Sequence, residues 1–96
     1  MFVCSGCEQQ YEDQELKYTL LHHSRASHPA REMFLRRFHS ARCLESFLHR
    51  LERHADRYIL TDLTGPEPVT LGPALPGDLR EQLFGHPAGT GGPRAR

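Results

Sequence analysis

The sequence has 96 residues with 12 Lys+Arg against 12 Asp+Glu, so its formal net charge is zero. This balance gives no overall electrostatic attraction to nucleic acid. The apolar runs are far shorter than the roughly 20 residues that cross a bilayer, and the N-terminus lacks the basic-then-apolar pattern of a secretory signal. We therefore expect a cytoplasmic protein that does not bind membranes. Three cysteines in such a protein more often bind metal or do chemistry than form disulfides.

The first motif in the chain is Cys4-Ser5-Gly6-Cys7, which has the spacing of a zinc knuckle. A tight turn with a glycine inside it lets both sulfurs reach one ion at about 2.3 Å. The chain therefore offers two metal ligands near its start and needs two more from elsewhere.

Two short segments, residues 16–23 and 32–38, are predicted to form an antiparallel hairpin joined by the loop 24–31. The hydrophobic period does not separate strand from helix here. Ser27 followed by Pro29 and Glu32 is an equally good helix start. Both interpretations of residues 28–38 therefore stay open, whereas residues 58–63 are predicted to form a further short strand.

The clearest element is an amphipathic helix of about 16 residues that follows Ser40. Ser40 is a favourable N-cap residue. The apolar face of this helix has three-and-four spacing and consists of Cys43, Leu44, Phe47, Leu48, Leu51 and Ala55.

Glycine and proline occur at short intervals from residue 63 onward. We therefore expect residues 1–62 to form a zinc-binding domain and residues 63–96 to form a loosely ordered tail. One short turn at residues 77–84, capped by Asp78, is the exception. A core built from about 62 residues yields only a few kcal/mol of net stability, so we expect a bound metal ion to stabilise the fold.

The two missing ligands are supplied by His39 and Cys43, which flank the start of the predicted helix. The helix N-terminus is expected to stabilise the Cys43 thiolate and lower its pKa. With Cys4 and Cys7, they give three thiolates and one imidazole, the closed tetrahedral set of a structural site that binds one Zn²⁺ per chain.

Two alternatives to this ligand set remain. Cys43 lies on the apolar helix face, where a free cysteine is also a common core residue. A histidine of the predicted hairpin or its loop offers a different fourth ligand or a second site, although adjacent histidines in a strand point to opposite faces, so at most one would serve. These residues are His22, His23 and His28.

The run Phe38-His39-Ser40-Ala41-Arg42-Cys43-Leu44-Glu45-Ser46-Phe47 resembles the F-C-S-x-x-C-x-x-x-F signature of TRASH, YHS and MYM-type zinc fingers. The resemblance covers residues 2–59 and departs from the signature at His39, where cysteine is usual, and in the 31 residues between Cys7 and His39. It implies a small α+β, treble-clef-like fold made of a zinc knuckle, a β-hairpin and one amphipathic helix. It also implies that Cys4, Cys7, His39 and Cys43 are the ligands, and it is compatible with metal sensing, metal trafficking or macromolecular contacts.

Three classes of function follow from these residues. We do not expect an enzyme, because the sequence offers neither an open metal nor a clear nucleophile and base; a thiol-reactive Cys43 with His39 as base is the exception. Nucleic-acid binding is the alternative, since residues 31–58 contain seven arginines against four acids. Its contacts would be Arg36, Arg37, Arg42, Arg50, Arg53 and Arg57.

The favoured class is a small zinc-stabilised interaction module with a protein partner, in a metal-handling or regulatory role. The arginines, the loop 24–31 and the tail are the candidate contact surfaces. A stripe of charges is more often a solvated helix face, in which Arg42 would pair with Glu45 and Arg53 with Asp56.

Overall fold

The structure is a computed structural model that describes residues 1–25 and 34–85. These residues form antiparallel strands, two α-helices and two short 3₁₀ turns, Asp13–Glu15 and His23–Arg25. In chain order the main elements are β1 (Phe2–Val3), β2 (Gln10–Tyr11), β3 (Tyr18–His22), β4 (Arg36–Phe38), α1 (Ala41–Leu51), β5 (Tyr58–Asp62), β6 (Val69–Ala74) and α2 (Pro76–Phe84).

The strands form two antiparallel sheets. β1 and β2 make a small ribbon, and the other four strands make a sheet in the order β4-β3-β5-β6. The predicted hairpin is confirmed in the part that is described, because Tyr18 pairs with Phe38 and Leu20 with Arg36. The predicted third strand is β5, which pairs with β3 along its whole length. The competing helix start at Ser27 lies outside the described residues.

One apolar core joins the four-stranded sheet to both helices. Leucines from β3, α1, β5 and α2 are essentially inaccessible to solvent, and Phe38 of β4 lies among them. Transferring such side chains from water into the core stabilises the fold by about 1.5–3 kcal/mol each. The fully buried leucines are Leu20, Leu44, Leu48, Leu60 and Leu79.

Helix α1 has 11 residues and is shorter than the sequence predicts. Its N-cap is Ser40, as expected, but its last turn closes with hydrogen bonds from Glu52 N–H to the His49 carbonyl and from His54 N–H to the Leu51 carbonyl. The chain then turns toward β5. Ala55, predicted to lie on the apolar face, is consequently exposed and outside the helix.

The expectation that residues 63–96 form a loose tail is wrong for residues 69–84. β6 extends the sheet and α2 packs on α1. Leu79 of α2 is fully buried, so the domain does not end at residue 62. Residues 86–96 lie outside the described part of the chain.

The glycines and prolines of β6 and α2 are compatible with a strand and a helix. Pro73 lies on an edge strand, where a missing N–H is tolerated, and Gly72 has φ +96° at a register shift where a Cβ would overlap the Tyr58 carbonyl oxygen. Pro76 occupies the first turn of α2, whose N-cap is Leu75 rather than Asp78. A proline at this position is pre-organised for a helix, and Gly85 follows the helix with φ +76°.

Within the described residues, no helix is long and apolar enough to cross a membrane.

Candidate metal centre

The fold brings four predicted ligands together. The donor atoms of Cys4, Cys7, His39 and Cys43 all lie within 4.8 Å of one another. The sulfurs of Cys7 and Cys43 are each 3.9 Å from His39 Nδ1. Sulfur and nitrogen ligands on one tetrahedral zinc ion are about 3.6 Å apart. This group, called the Cys/His cluster below, therefore has dimensions with which it could hold a metal ion.

A tight turn between β1 and β2 presents the first two cysteines. Glu8 N–H donates to the Cys4 carbonyl at 2.7 Å, and Cys4 N–H donates to the Gln9 carbonyl at 2.9 Å. Glu8 has φ +64°, a left-handed conformation that is uncommon for a residue with a Cβ. Ser5 N–H donates to the Arg37 carbonyl at 2.7 Å, which attaches this turn to the edge of β4.

Gly6 allows the cysteine turn to approach helix α1 closely. A Cβ built on Gly6 would lie 2.9 Å from the Cys43 Cα and would overlap the Cys43 Cβ. The sequence suggests that this glycine serves the turn itself, but Gly6 is not among the residues with positive φ. It is therefore needed because the two ligand-bearing segments touch at this point.

The second pair of ligands lies at the junction of β4 and α1, as predicted. His39 directly follows β4, and Cys43 is in the first turn of the helix. The Ser40 side-chain oxygen accepts a hydrogen bond from Cys43 N–H at 3.2 Å. This cap satisfies a backbone donor that the helix leaves free and holds Cys43 in position.

Tyr11 of β2 is a residue of this site that the sequence analysis missed. Its ring stacks on the His39 ring with centroids 3.8 Å apart and an interplanar angle of 13°. Its hydroxyl forms a hydrogen bond of 3.3 Å with Cys7 Sγ. The one sequence feature that could have pointed to Tyr11 is its position four residues after the second cysteine, Cys7.

The two half-exposed thiols, Cys7 and Cys43, have opposite electrostatic environments. The hydrogen bond with the Tyr11 hydroxyl lowers the pKa of Cys7, and the same contact raises the pKa of Tyr11 to about 12. Burial raises the pKa of Cys43, and this desolvation outweighs the opposing contact with Ser40. The pKa of Cys43 is therefore shifted in the direction opposite to the lowering that the sequence predicts.

The other histidines that the sequence offers are not part of the cluster. His22 Nδ1 accepts hydrogen bonds from the backbone and hydroxyl of Ser24, its Nε2 lies 3.4 Å from Asp56, and its ring meets Tyr58 edge-on. His23 is exposed, and His28 lies outside the described residues. Among the residues that the structure describes, the fourth donor of the cluster is His39.

The predicted arginine stripe is divided by the fold. Arg36 and Arg37 lie on β4, whereas Arg53 and Arg57 lie beyond the end of α1. The predicted partner of Arg53, Asp56, instead lies beside His22. The remaining two arginines line a groove of about 490 Å³ together with a residue of α2. This surface, called the arginine groove below, is lined by Arg42, Glu45, Ser46, His49, Arg50 and Arg80.

The described residues therefore define a small α+β protein with a three-cysteine, one-histidine group that could hold a metal ion. Comparisons of the chain with protein-family models, with curated proteins and with solved structures find no match. Its function must accordingly be argued from the chemistry of the site and of its surface.

Proposed function

We propose that this chain is a small structural-zinc-binding protein that acts as an interaction module. The observation that carries the proposal is the convergence of four donor atoms within 4.8 Å. Four protein ligands fill a tetrahedral ion and leave no open position for a substrate, which is typical of structural rather than catalytic zinc. Thiolate and imidazole donors favour zinc over the hard ions magnesium and calcium.

The arrangement of elements supports a treble-clef-like assignment. The cysteine turn supplies two ligands, the hairpin β3–β4 follows, and the junction of β4 with α1 supplies the other two. This order agrees with the resemblance to TRASH, YHS and MYM-type zinc fingers, with His39 in the place of a cysteine. The strand β6 and helix α2 are additions to that plan.

Metal analysis of the purified 96-residue chain tests the zinc site. We expect one zinc per chain in the wild type. Cys43→Ala should lose the metal together with a large part of the free energy of unfolding, because binding energy is folding energy when the unfolded chain has no site. Ser46→Ala, an exposed change on the same helix, is the matched control.

A folded wild-type protein that contains no metal would overturn the proposal. It would instead favour the reactive thiol, with Cys43 as nucleophile and His39 as base, because their side chains already lie 3.9 Å apart. Titration of the Cys43 thiol and its rate of alkylation would then be the measurements to make.

Protein is favoured over nucleic acid as the partner because the arginine groove has mixed charge. Glu45 lies among its arginines, and the guanidinium of Arg80 already pairs with Glu52. A phosphate backbone prefers an uninterrupted positive surface, whereas a protein segment can match alternating charges.

Nucleic-acid binding remains the second candidate because Arg80 joins Arg42 and Arg50 on one surface. If this candidate is correct, affinity for a short duplex should fall steeply between about 50 and 200 mM salt, and Arg42→Ala and Arg50→Ala should each flatten that dependence. We expect no salt-dependent binding. A salt dependence of the binding affinity that corresponds to several phosphate contacts would favour nucleic acid over protein as the partner.

A further inference from the structure

Tyr11 contacts two different members of the Cys/His cluster at once. Its ring lies flat on His39, and its hydroxyl reaches Cys7 Sγ. These contacts use separate parts of one side chain, so a substitution can remove one of them and keep the other. Strand β2 holds the residue in this place through the pairing of Tyr11 with Phe2, whose ring centroid is 6.0 Å from that of Tyr11.

The two contacts have different physical consequences for a bound metal ion. A stacked tyrosine fixes the plane of the imidazole and favours the partial positive charge that the ring acquires when it binds a cation. A hydroxyl that donates to a thiolate withdraws electron density from sulfur and makes it a weaker nucleophile. Partners of this kind in the outer shell of a metal site commonly change its affinity by 10–100-fold.

We propose that Tyr11 is a positioning residue of the metal site, which orients His39 by stacking and makes the Cys7 thiolate less reactive by hydrogen bonding. This inference rests on the proposed function, since it requires the cluster to bind metal. Tyr11 is not itself a ligand, but it would control both the orientation of one ligand and the reactivity of another.

The test uses the whole 96-residue chain loaded with cobalt or with zinc. Tyr11→Phe removes the hydroxyl and keeps the stacked ring, whereas Tyr11→Leu removes both. Tyr58→Phe is the matched control, because Tyr58 packs on His22 instead of the cluster. Three quantities are measured: the affinity for metal in competition with a chelator, the sulfur-to-cobalt charge-transfer band, and the rate at which iodoacetamide alkylates Cys7 in the zinc-loaded protein.

We expect Tyr11→Phe to increase the alkylation rate of Cys7 several-fold and to shift the charge-transfer band to lower energy, because the sulfur becomes a better electron donor. Its metal affinity should change by no more than about tenfold because the stacked ring is kept, whereas that of Tyr11→Leu, which loses the ring, should fall by up to about 100-fold. A purely structural role would change affinity but would leave the Cys7 rate and the band of a folded Tyr11→Phe protein unchanged. Tyr58→Phe should match the wild type in all three measurements.

Two results would overturn this proposal, and they differ in what they say about the zinc site. A wild type that binds cobalt, with a Tyr11→Phe variant indistinguishable from it in band position and Cys7 reactivity, would overturn the role of Tyr11 alone. A wild type that takes up neither metal would overturn the proposed function as well. Tyr11→Phe keeps the aromatic ring, so the test does not depend on whether Tyr11→Leu folds.

Discussion

Residues 2–11 contact β4 and α1, whereas residues 69–84 contact β5 and α1, and the two segments bury different side chains. In the N-terminal segment, Phe2 and Cys4 are the buried members of the core. The C-terminal segment buries Pro76 and Leu79, and further apolar side chains of this segment pack against the core. The partly buried apolar residues among them are Leu71, Ala74, Leu83 and Phe84.

This difference indicates that the two segments are held by different forces. The C-terminal segment is attached by ordinary apolar burial, whose contribution is present with or without metal. The N-terminal segment has a short ribbon, one backbone hydrogen bond to β4 and the close approach of Gly6 to Cys43. Under the proposed function, the bonds of Cys4 and Cys7 to a shared zinc ion would add to this attachment. Perturbing each segment separately distinguishes the two kinds of attachment.

Metal removal should have the largest effect and should act on the N-terminal segment first. Zinc binding in small domains is worth on the order of 10 kcal/mol. We expect chelation to abolish hydrogen-exchange protection at the amides of Cys4 and Glu8, while amides of Leu20 and Leu60 in the four-stranded sheet keep a larger share of theirs. Equal loss at all four amides would show that the metal holds the whole fold and not one segment.

Leu79→Ala should destabilise the protein by about 2–5 kcal/mol, because it leaves a cavity in a fully packed core. Chemical denaturation of the zinc-loaded protein measures this change, with the exposed neighbour Gln82→Ala as control. Zinc stoichiometry should remain that of the wild type. A cost below 1 kcal/mol would mean that α2 is not an integral part of the domain.

Gly6→Ala should weaken the metal site by a smaller amount. The added methyl group would overlap Cys43, and forcing a side chain into a packed contact typically costs about 1–3 kcal/mol. Separation of the two ligand-bearing segments should therefore lower zinc affinity about 10–100-fold in a chelator competition. Gly65→Ala, whose Cβ would meet its nearest neighbour at 4.0 Å, should have no such effect, and equal affinities for the two variants would contradict the close approach.

Glu8→Gly should have the smallest effect and the opposite sign. Glycine adopts positive φ without steric cost. Relief of the left-handed conformation at Glu8 should stabilise the protein more than the greater entropy of the unfolded chain destabilises it, and the net gain in the free energy of unfolding should be below about 1 kcal/mol. The thermal midpoint of the zinc-loaded protein should therefore rise slightly. Glu8→Ala keeps the Cβ and should give no increase; a gain of equal size would point to the charge of Glu8 instead of its backbone.

The parts of this fold that could be predicted are those with short-range signals. Ser40 could be identified as an N-cap because the helix pattern begins directly after it. A hairpin of residues 16–23 with residues 32–38 is predicted from two short segments separated by a loop, and the structure adds the register, in which residues 18–20 pair with 36–38. Cys4, Cys7, His39 and Cys43 could be grouped because metal coordination requires a limited set of residue types, whatever their separation in the chain.

The parts that could not be predicted depend on contacts between distant segments. The composition of residues 63–85 resembles a loop, and the burial of Leu79 against α1 is what makes α2 part of the domain. The length of α1 was overestimated because its periodic pattern continues to Ala55, although the chain must leave the helix at Leu51 to reach β5. A local propensity is a weak preference that tertiary packing overrides.

The sequence by itself determined the candidate cysteine and histidine ligands and the cap that starts α1, because each is specified by residue type and local spacing, but it left residues 28–38 open between strand and helix. Only the tertiary structure decided that Gly6 lies against Cys43 and that Tyr11 contacts both His39 and Cys7. Those contacts arise from the register of β1 with β2 and the attachment of the cysteine turn to β4. Their energy comes from atoms brought together across the chain, so no local pattern could reveal them.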